Sequence, residues 1–433
     1  MAGKPEPAGL QLRLIAAERL RGVLDGQPFQ PLNAGEVPDS RDRAVGNRLI
    51  TTALRYQGPL NAVIEELLDR GLPKKGGSFE AVLRLSLGQL LFLPELGAHS
   101  ALFLAVEALK ADPKARHLTG LMNAALRRAQ ANSARLFDFP EDLLFPSDLR
   151  AGWVEAYGAE AVERFGQALR DGAPLDLTLR DTDPELMAGL NAEPMVFDSV
   201  RVMSRDRPVE ALPGYAEGRW WVQDTAAALP ARLLQLPAGA RVGDFCAAPG
   251  GKTAQLVKAG YRVTALDSEG SRLDRLRSNL ARLGYAAEIV EGDAASYEPA
   301  EKFDGLLLDA PCSATGTFRR HPEVIWHRDE KDIRGRAGLQ RKLLRQAAQC
   351  LNPGGVLIYC VCSLEAAEGE AQAAWVEAHL PELQRFPIAA DELDRFGPAL
   401  TALGEVRTHP GLALADMPPG GVDGFFIARF RRR

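Results

Sequence analysis

From Leu10 to about Gln130, apolar residues recur at helical spacing, as in Leu14, Ile15, Leu20, Val23 and Leu24 and again in Val82, Leu83, Leu85, Leu87, Leu90 and Leu91. Polar and Pro/Gly-containing breaks at 27–41, 72–78 and 111–116 cut this stretch into five or six helices. The pattern predicts an all-α helical bundle over residues 1–135. Pro, Phe and acidic residues are mixed at 132–146, which reads as a linker. After it, 153–169 reads as one helix, and short strands are expected at 175–180, 200–203 and 219–222 around a helix at 184–190. Linker and strands together form a small α/β middle domain, 136–235. From 238 onward, strand, glycine turn and helix alternate, with strands at 241–245, 261–267, 287–290, 305–309, 355–361 and 424–431. A parallel sheet with crossover helices is the economical topology for this α/β domain, 236–433.

Length agrees with such a multi-domain chain, since 433 residues correspond to about three units at roughly 150 residues each. A hydrophobic share of 46% excludes disorder, and no apolar window reaches the ~18 residues a membrane helix needs. The opening Met-Ala-Gly-Lys-Pro-Glu-Pro lacks the apolar core of a secretion signal, so a cytoplasmic protein without a membrane partner is expected. Five cysteines, two of them in Cys360-Val361-Cys362, do not make a disulfide scaffold. The formal net charge of −5 argues against a protein coated in nucleic acid, and confines any polyanion to a local basic face.

Four strand ends carry candidate chemistry. The first strand runs through Asp244 into Cys246-Ala247-Ala248-Pro249-Gly250-Gly251-Lys252-Thr253, where small residues let a ligand approach the backbone and a helix start offers free N–H groups. Asp267 closes the next strand, about 20 residues on, where a nucleoside ribose presents its hydroxyls. Asp293 follows the third strand, where a side chain can accept from an adenine amino group. Asp309 and Cys312 end the strand of Leu306-Leu307-Leu308, and Cys362 ends that of Leu357-Ile358-Tyr359. Cys350 and Cys360 read as buried fillers. No metal site is expected. Two thiols and a carboxylate beside a nucleoside pocket suit methylation of cytosine C5. That carbon is a weak nucleophile until a thiolate adds at C6, and the addition needs a proton or hydrogen bond at N3, for which Asp309 is placed. Which cysteine attacks stays open at this level.

These motifs resemble those of the RsmB/Sun family of 16S ribosomal RNA cytosine-C5 methyltransferases, within the NOP2/Sun group, along nearly the whole chain. The residues that carry the likeness are Gly120-Leu121-Met122-Asn123-Ala124-Ala125-Leu126-Arg127, Val222-Gln223-Asp224, Asp244 to Lys252, Asp309-Ala310-Pro311-Cys312-Ser313, Arg320-His321-Pro322-Glu323 and Asp423-Gly424-Phe425-Phe426. The resemblance implies an N-terminal NusB-like RNA-binding domain and a Rossmann-like domain dependent on S-adenosylmethionine. It implies that Cys246, Ala247, Ala248, Pro249, Gly250, Gly251 and Lys252 hold the methionine part, Asp267 the ribose and Asp293 the adenine, with Asp309 bridging cofactor and base. It also orders the thiols, with Cys362 attacking and Cys312 assisting release.

The chain departs from the family at three places. Val361 stands for the usual Thr, with slower chemistry at most expected; Ala367-Glu368-Gly369 stands for Glu-Glu-Asn; Thr182 stands for an Asn. RNA, specifically 16S rRNA, is the expected partner of a monomer that binds no DNA. A strip comprising Arg319, Arg320, His321, Arg328, Lys331, Arg334, Arg336, Arg341, Lys342 and Arg345 is the first candidate contact, and Lys114, Arg116, Arg127 and Arg128 are a second. Two alternatives remain at this level, a P-loop NTPase built on Gly251-Lys252-Thr253 and a non-catalytic NusB-like RNA-binding or antitermination factor.

Overall fold

A computed structural model describes residues 7–204 and 207–433, so the opening stretch through Glu6, read above for a signal core, lies outside the described residues. The chain forms two compact units, Met1–Ala151 with His321–His327, and Gly152–Arg320 with Arg328–Arg433.

In the first unit the helices are Leu10–Leu24, Ser40–Arg55, Gln57–Leu67, Phe79–Phe92, Ala98–Ala111, Thr119–Ala131 and the short Ser133–Phe137. Asp39 caps the second by accepting from the N–H groups of Arg41 and Asp42, both at 2.9 Å. Phe79–Phe92 is buried on nearly all sides, which is why its apolar residues are not confined to one stripe and why Arg84, Ser86 and Gln89 on it are buried as well. Leu20, Ile50, Leu83, Leu87, Ala105 and Leu126 meet in the core around it.

The second unit holds two sheets. The smaller is antiparallel, with strands β1 (Leu175–Leu179), β2 (Ala192–Pro194), β3 (Ser199–Val202) and β4 (Trp220–Val222) in the order β2-β3-β1-β4. Before it the expected single helix is two, Ser147–Tyr157 and Ala159–Asp171, because Gly158 adopts a φ of 84° that interrupts the helical course.

The larger sheet contains β5 (Arg241–Phe245), β6 (Arg262–Asp267), β7 (Glu288–Glu291), β8 (Phe303–Asp309), β9 (Leu351–Val361), β10 (Leu383–Arg385), β11 (Val406–Thr408) and β12 (Phe425–Arg432). Their order is β10-β12-β9-β8-β5-β6-β7, with β11 on β12. Strands β5 to β9 are parallel, as expected, but β12 runs antiparallel to β9 and to β10, so the sheet is mixed. The segment between β10 and β12 has only 3₁₀ turns and β11, with no helix to carry a parallel crossover, and the strand therefore returns in the opposite sense. Alternation along β8 and β9 sends Leu306, Leu308, Leu357, Tyr359 and Val361 to one face, under the helices Glu330–Cys350 and Glu370–His379. Leu307, Ile358 and Cys360 face the other, with Leu229 and Leu256.

Candidate active site

From β5 the chain steps outward to β6 and β7, then returns to the other side of β5 as β8. The strand order therefore reverses between β5 and β8, and open sheets bind ligands at the carboxyl ends of such a pair. The turn 246–250 leaves β5 there. Cys246 has a φ of 61° and Gly250 one of 101°, a left-handed conformation that glycine adopts freely and that launches the helix Gly251–Lys258. Beneath the turn, Asp244 is fully buried and accepts from Thr253 Oγ1 at 2.6 Å, while its Oδ1 has no hydrogen-bond partner. Burial pushes its carboxyl up to about 7, against the pull of the Thr253 hydroxyl and Lys252. Burial likewise pushes the Cys246 thiol up to about 12.

Asp267 ends β6 and fastens the turn, accepting from Ala248 N at 3.1 Å through Oδ2 and from Glu269 N at 3.3 Å through Oδ1. Arg272 donates to Ala248 O at 2.6 Å. Asp293 is exposed after β7 and accepts from Ala295 N at 2.9 Å.

Asp309 ends β8, and Lys252 Nζ donates to its Oδ2 at 2.7 Å, so the ion pair spans the reversal point. Burial opposes the Lys252 ammonium, but the charge and hydrogen bond of Asp309 together with the neighbouring Cys360 and Cys362 sulfurs outweigh it and hold the group above its ordinary value. Cys360, wholly buried, brings its Sγ to 3.5 Å from Asp309 Oδ1. The filler reading thus holds for Cys350, which is buried with its sulfur 3.4 Å from Tyr297 O, whereas Cys360 packs directly beneath the site. Cys362 sits one residue beyond β9 and half-buried, and Cys312 lies on the loop after β8. Their sulfurs are 3.4 Å apart. Gly316 N donates to Cys362 O at 3.0 Å and Ala310 N to Cys360 O at 3.0 Å, so backbone bonds hold the two loops together. The hydrogen bond with Cys362, and then burial, raise the Cys312 thiol well above its ordinary value.

One residue at this centre escaped the sequence reading. Glu368 is fully buried, and its carboxylate accepts from Ser313 N at 2.9 Å, from the Ser313 hydroxyl, from Ser363 Oγ at 2.6 Å and from Gln340 Nε2 at 3.1 Å. Its signal was present as the acid kept between Ala367 and Gly369 where the family motif has Glu-Glu-Asn.

The basic strip needs correction. Arg319 is fully buried and donates to Asp423 Oδ1 at 2.7 Å and Asp224 Oδ2 at 3.0 Å; Arg320 donates to Asp224 Oδ2 at 2.7 Å and Asp423 Oδ2 at 3.0 Å. Two arginines and two aspartates thus satisfy one another inside the protein, and neither arginine is offered to RNA. Arg328 Nε donates to Ser313 O at 3.0 Å, supporting the Cys312 loop. Lys331, Arg334, Lys342 and Arg345 on the helix Glu330–Cys350 are exposed. In the second patch, Arg128 donates to the carbonyls of Glu66 and Leu67 at a helix end.

The 16S rRNA methyltransferase RsmB/F family matches residues 231–431, and the NusB family matches residues 11–131. The "Ribosomal RNA small subunit methyltransferase B" of Xanthomonas campestris pv. campestris is 35% identical over 99% of this chain and 98% of its own length. That of Pseudomonas syringae pv. tomato is 36% identical over 96% of each chain. Among solved structures, a methyltransferase homologue from Pyrococcus horikoshii superposes with a TM-score of 0.55 at 26% identity, covering 67% of this chain and 96% of that one. The fold is shared with NSun6 of Pyrococcus horikoshii, solved with SFG, at a TM-score of 0.57 and 19% identity, covering 66% of this chain and 98% of that one. With both families matched in sequence order and relatives aligned from end to end, the chain belongs to the RsmB/Sun family of S-adenosylmethionine-dependent 16S ribosomal RNA methyltransferases that carry an N-terminal NusB-like domain.

Proposed function

We propose that the enzyme forms 5-methylcytosine in 16S rRNA, with Cys362 as the nucleophile and Cys312 as the group that assists release. The observation that carries this reading is the 3.4 Å approach of the two sulfurs beside the Asp309–Lys252 pair, at the carboxyl ends of neighbouring strands.

The residues present fit the methyl donor. The buried Asp244 Oδ1 has no hydrogen-bond partner among the described residues, and the turn beside it carries no side chain at Gly250 and Gly251. Residues 246–252 are assigned to its methionine part, Asp267 to the ribose and Asp293 to the adenine. S-adenosylmethionine supplies an electrophilic methyl group for C5.

The protein's own part begins with the Cys362 thiolate. In this reading Cys312, 3.4 Å from the Cys362 sulfur, donates a hydrogen bond to it and stabilises its negative charge. The thiolate forms a bond to C6, and the electron pair of the C5–C6 double bond becomes available at C5. The Lys252–Asp309 pair holds a proton for N3, which relieves the charge that addition places on the ring. After methyl transfer solvent water takes the C5 proton, the electron pair of that C–H bond re-forms the C5–C6 double bond as the C6–S bond breaks, the proton held at N3 returns to the Lys252–Asp309 pair, and the Cys362 thiolate leaves with the Cys312 thiol beside it. The exposed cations Lys331, Arg334, Lys342 and Arg345 are assigned to RNA phosphates.

The P-loop alternative loses its support, because Lys252 donates to Asp309 and the fully buried Thr253 donates to Asp244. Cys362→Ala is expected to abolish methyl transfer, and Cys312→Ala to accumulate an RNA–protein adduct that survives denaturing electrophoresis. Normal turnover by Cys312→Ala with no trapped species would overturn the assigned order. Bisulfite mapping of rRNA from a strain lacking the protein tests the product.

A further inference from the structure

The two sulfurs meet although, among the described residues, no side-chain hydrogen bond to either sulfur is seen besides the one between them. Each is followed by a serine, Ser313 after Cys312 and Ser363 after Cys362. Both serines converge on one group. Glu368 receives the N–H and hydroxyl of Ser313 on one side and the hydroxyl of Ser363 on the other, and the two hydroxyls lie 3.0 Å apart. Gln340 Nε2 bonds both Glu368 Oε1, at 3.1 Å, and Pro311 O, at 3.0 Å, so the residue before Cys312 is drawn into the same cluster. Tyr359, on the nucleophile's strand, donates from its hydroxyl to the backbone carbonyl of Glu368. The carboxylate is fully buried and takes every bond from the two loops that bear the thiols or from the helix behind them. An apolar residue would fill this space at less desolvation penalty, so a buried acid tied to both loops calls for another reason.

We propose that Glu368 is the positioning residue of the thiol pair, a clamp that sets the separation of Cys312 and Cys362 by holding the serine next to each. Its carboxylate is buried and acts through the two serines. The proposal rests on the reading that Cys362 attacks and Cys312 assists release, but its geometric part is testable alone.

The test uses the full chain carrying Glu368→Ala, with Glu368→Gln as the conservative variant. The first readout needs no RNA. Diamide takes two hydrogens from two thiols as the disulfide forms, and peptide mass spectrometry follows the Cys312–Cys362 bridge apart from any involving Cys246, Cys350 or Cys360. Bridging is expected to slow at least about tenfold in Glu368→Ala and to recover partly in Glu368→Gln, whose amide oxygen still accepts from Ser313 N. The second readout is turnover. A loss of about tenfold to a hundredfold in kcat is expected, with KM for S-adenosylmethionine unchanged and trapped adduct above the wild-type level. Wild-type bridging and wild-type adduct level in a folded Glu368→Ala protein would overturn the proposal. Should that variant not fold, the double variant Ser313→Ala, Ser363→Ala carries the same expectation and the same refutation. Slowed bridging together with full activity of Cys362→Ala would sustain the clamp while refuting the covalent reading.

Discussion

Asp244 gives the sharpest quantitative expectation. Burial pushes its carboxyl from the ordinary aspartate range up to about 7, so the folded protein keeps a proton that the unfolded chain has already released. Between roughly pH 4 and pH 7 the native state therefore binds more protons than the unfolded state, and stability falls as pH rises through that window. Above it both states are ionised and the loss is complete. Three pH units at ~1.4 kcal/mol each set the scale at roughly 4 kcal/mol. Asp244→Asn keeps the neutral shape and the Thr253 contact but cannot ionise. Urea unfolding of both proteins, followed by tryptophan fluorescence, with Trp221 packed in one cluster with Ala247 and Ala248 of the turn, is to be measured at pH 5, 6, 7 and 8. The Asn variant is expected to gain on the wild type by a growing margin from pH 5 to pH 7, then by a constant one. Parallel curves across the range, or a wild type that gains on the variant as pH rises, would refute the argument that a buried, half-partnered carboxyl lies under the turn.

Lys252→Met leaves Asp309 without its cation, and single-turnover methyl transfer is expected to fall by about a hundredfold or more while the fold, followed by circular dichroism, persists. Arg319→Met strands Asp224 and Asp423 in the interior with one arginine between them, which should remove roughly 3 to 5 kcal/mol of stability, read as a lower thermal midpoint. Gly316→Ala would set a Cβ 2.1 Å from Gly424 O, so the Cys312 loop must shift; methyl transfer is expected to drop at least about tenfold while equilibrium dialysis shows S-adenosylmethionine still bound.

The parts visible in advance were those whose cause is local. Strands β6, β8 and β9 are largely apolar stretches, and the convergence of Cys312 with Cys362 follows because they stand just beyond neighbouring strands of one sheet. Periodicity marks a strand as buried without stating its direction, and so the antiparallel course of β12 was not legible. Arg319 looked like a surface cation because cations follow it in sequence, while the acids that bury it stand 95 and 104 residues away. The pairing of Lys252 with Asp309 was not legible either, since the two stand 57 residues apart. Glu368 was passed over for the same reason: its meaning depends on a serine 55 residues earlier.

Strand β9 lies inside the sheet only because β12 pairs along it, with Phe426 opposite Val361 and Ile427 opposite Cys360. Without that pairing β9 would be the border of the sheet, its aliphatic edge open to any passing chain. The pairing of β12 therefore also shields the strand that delivers Cys362 from joining a foreign edge.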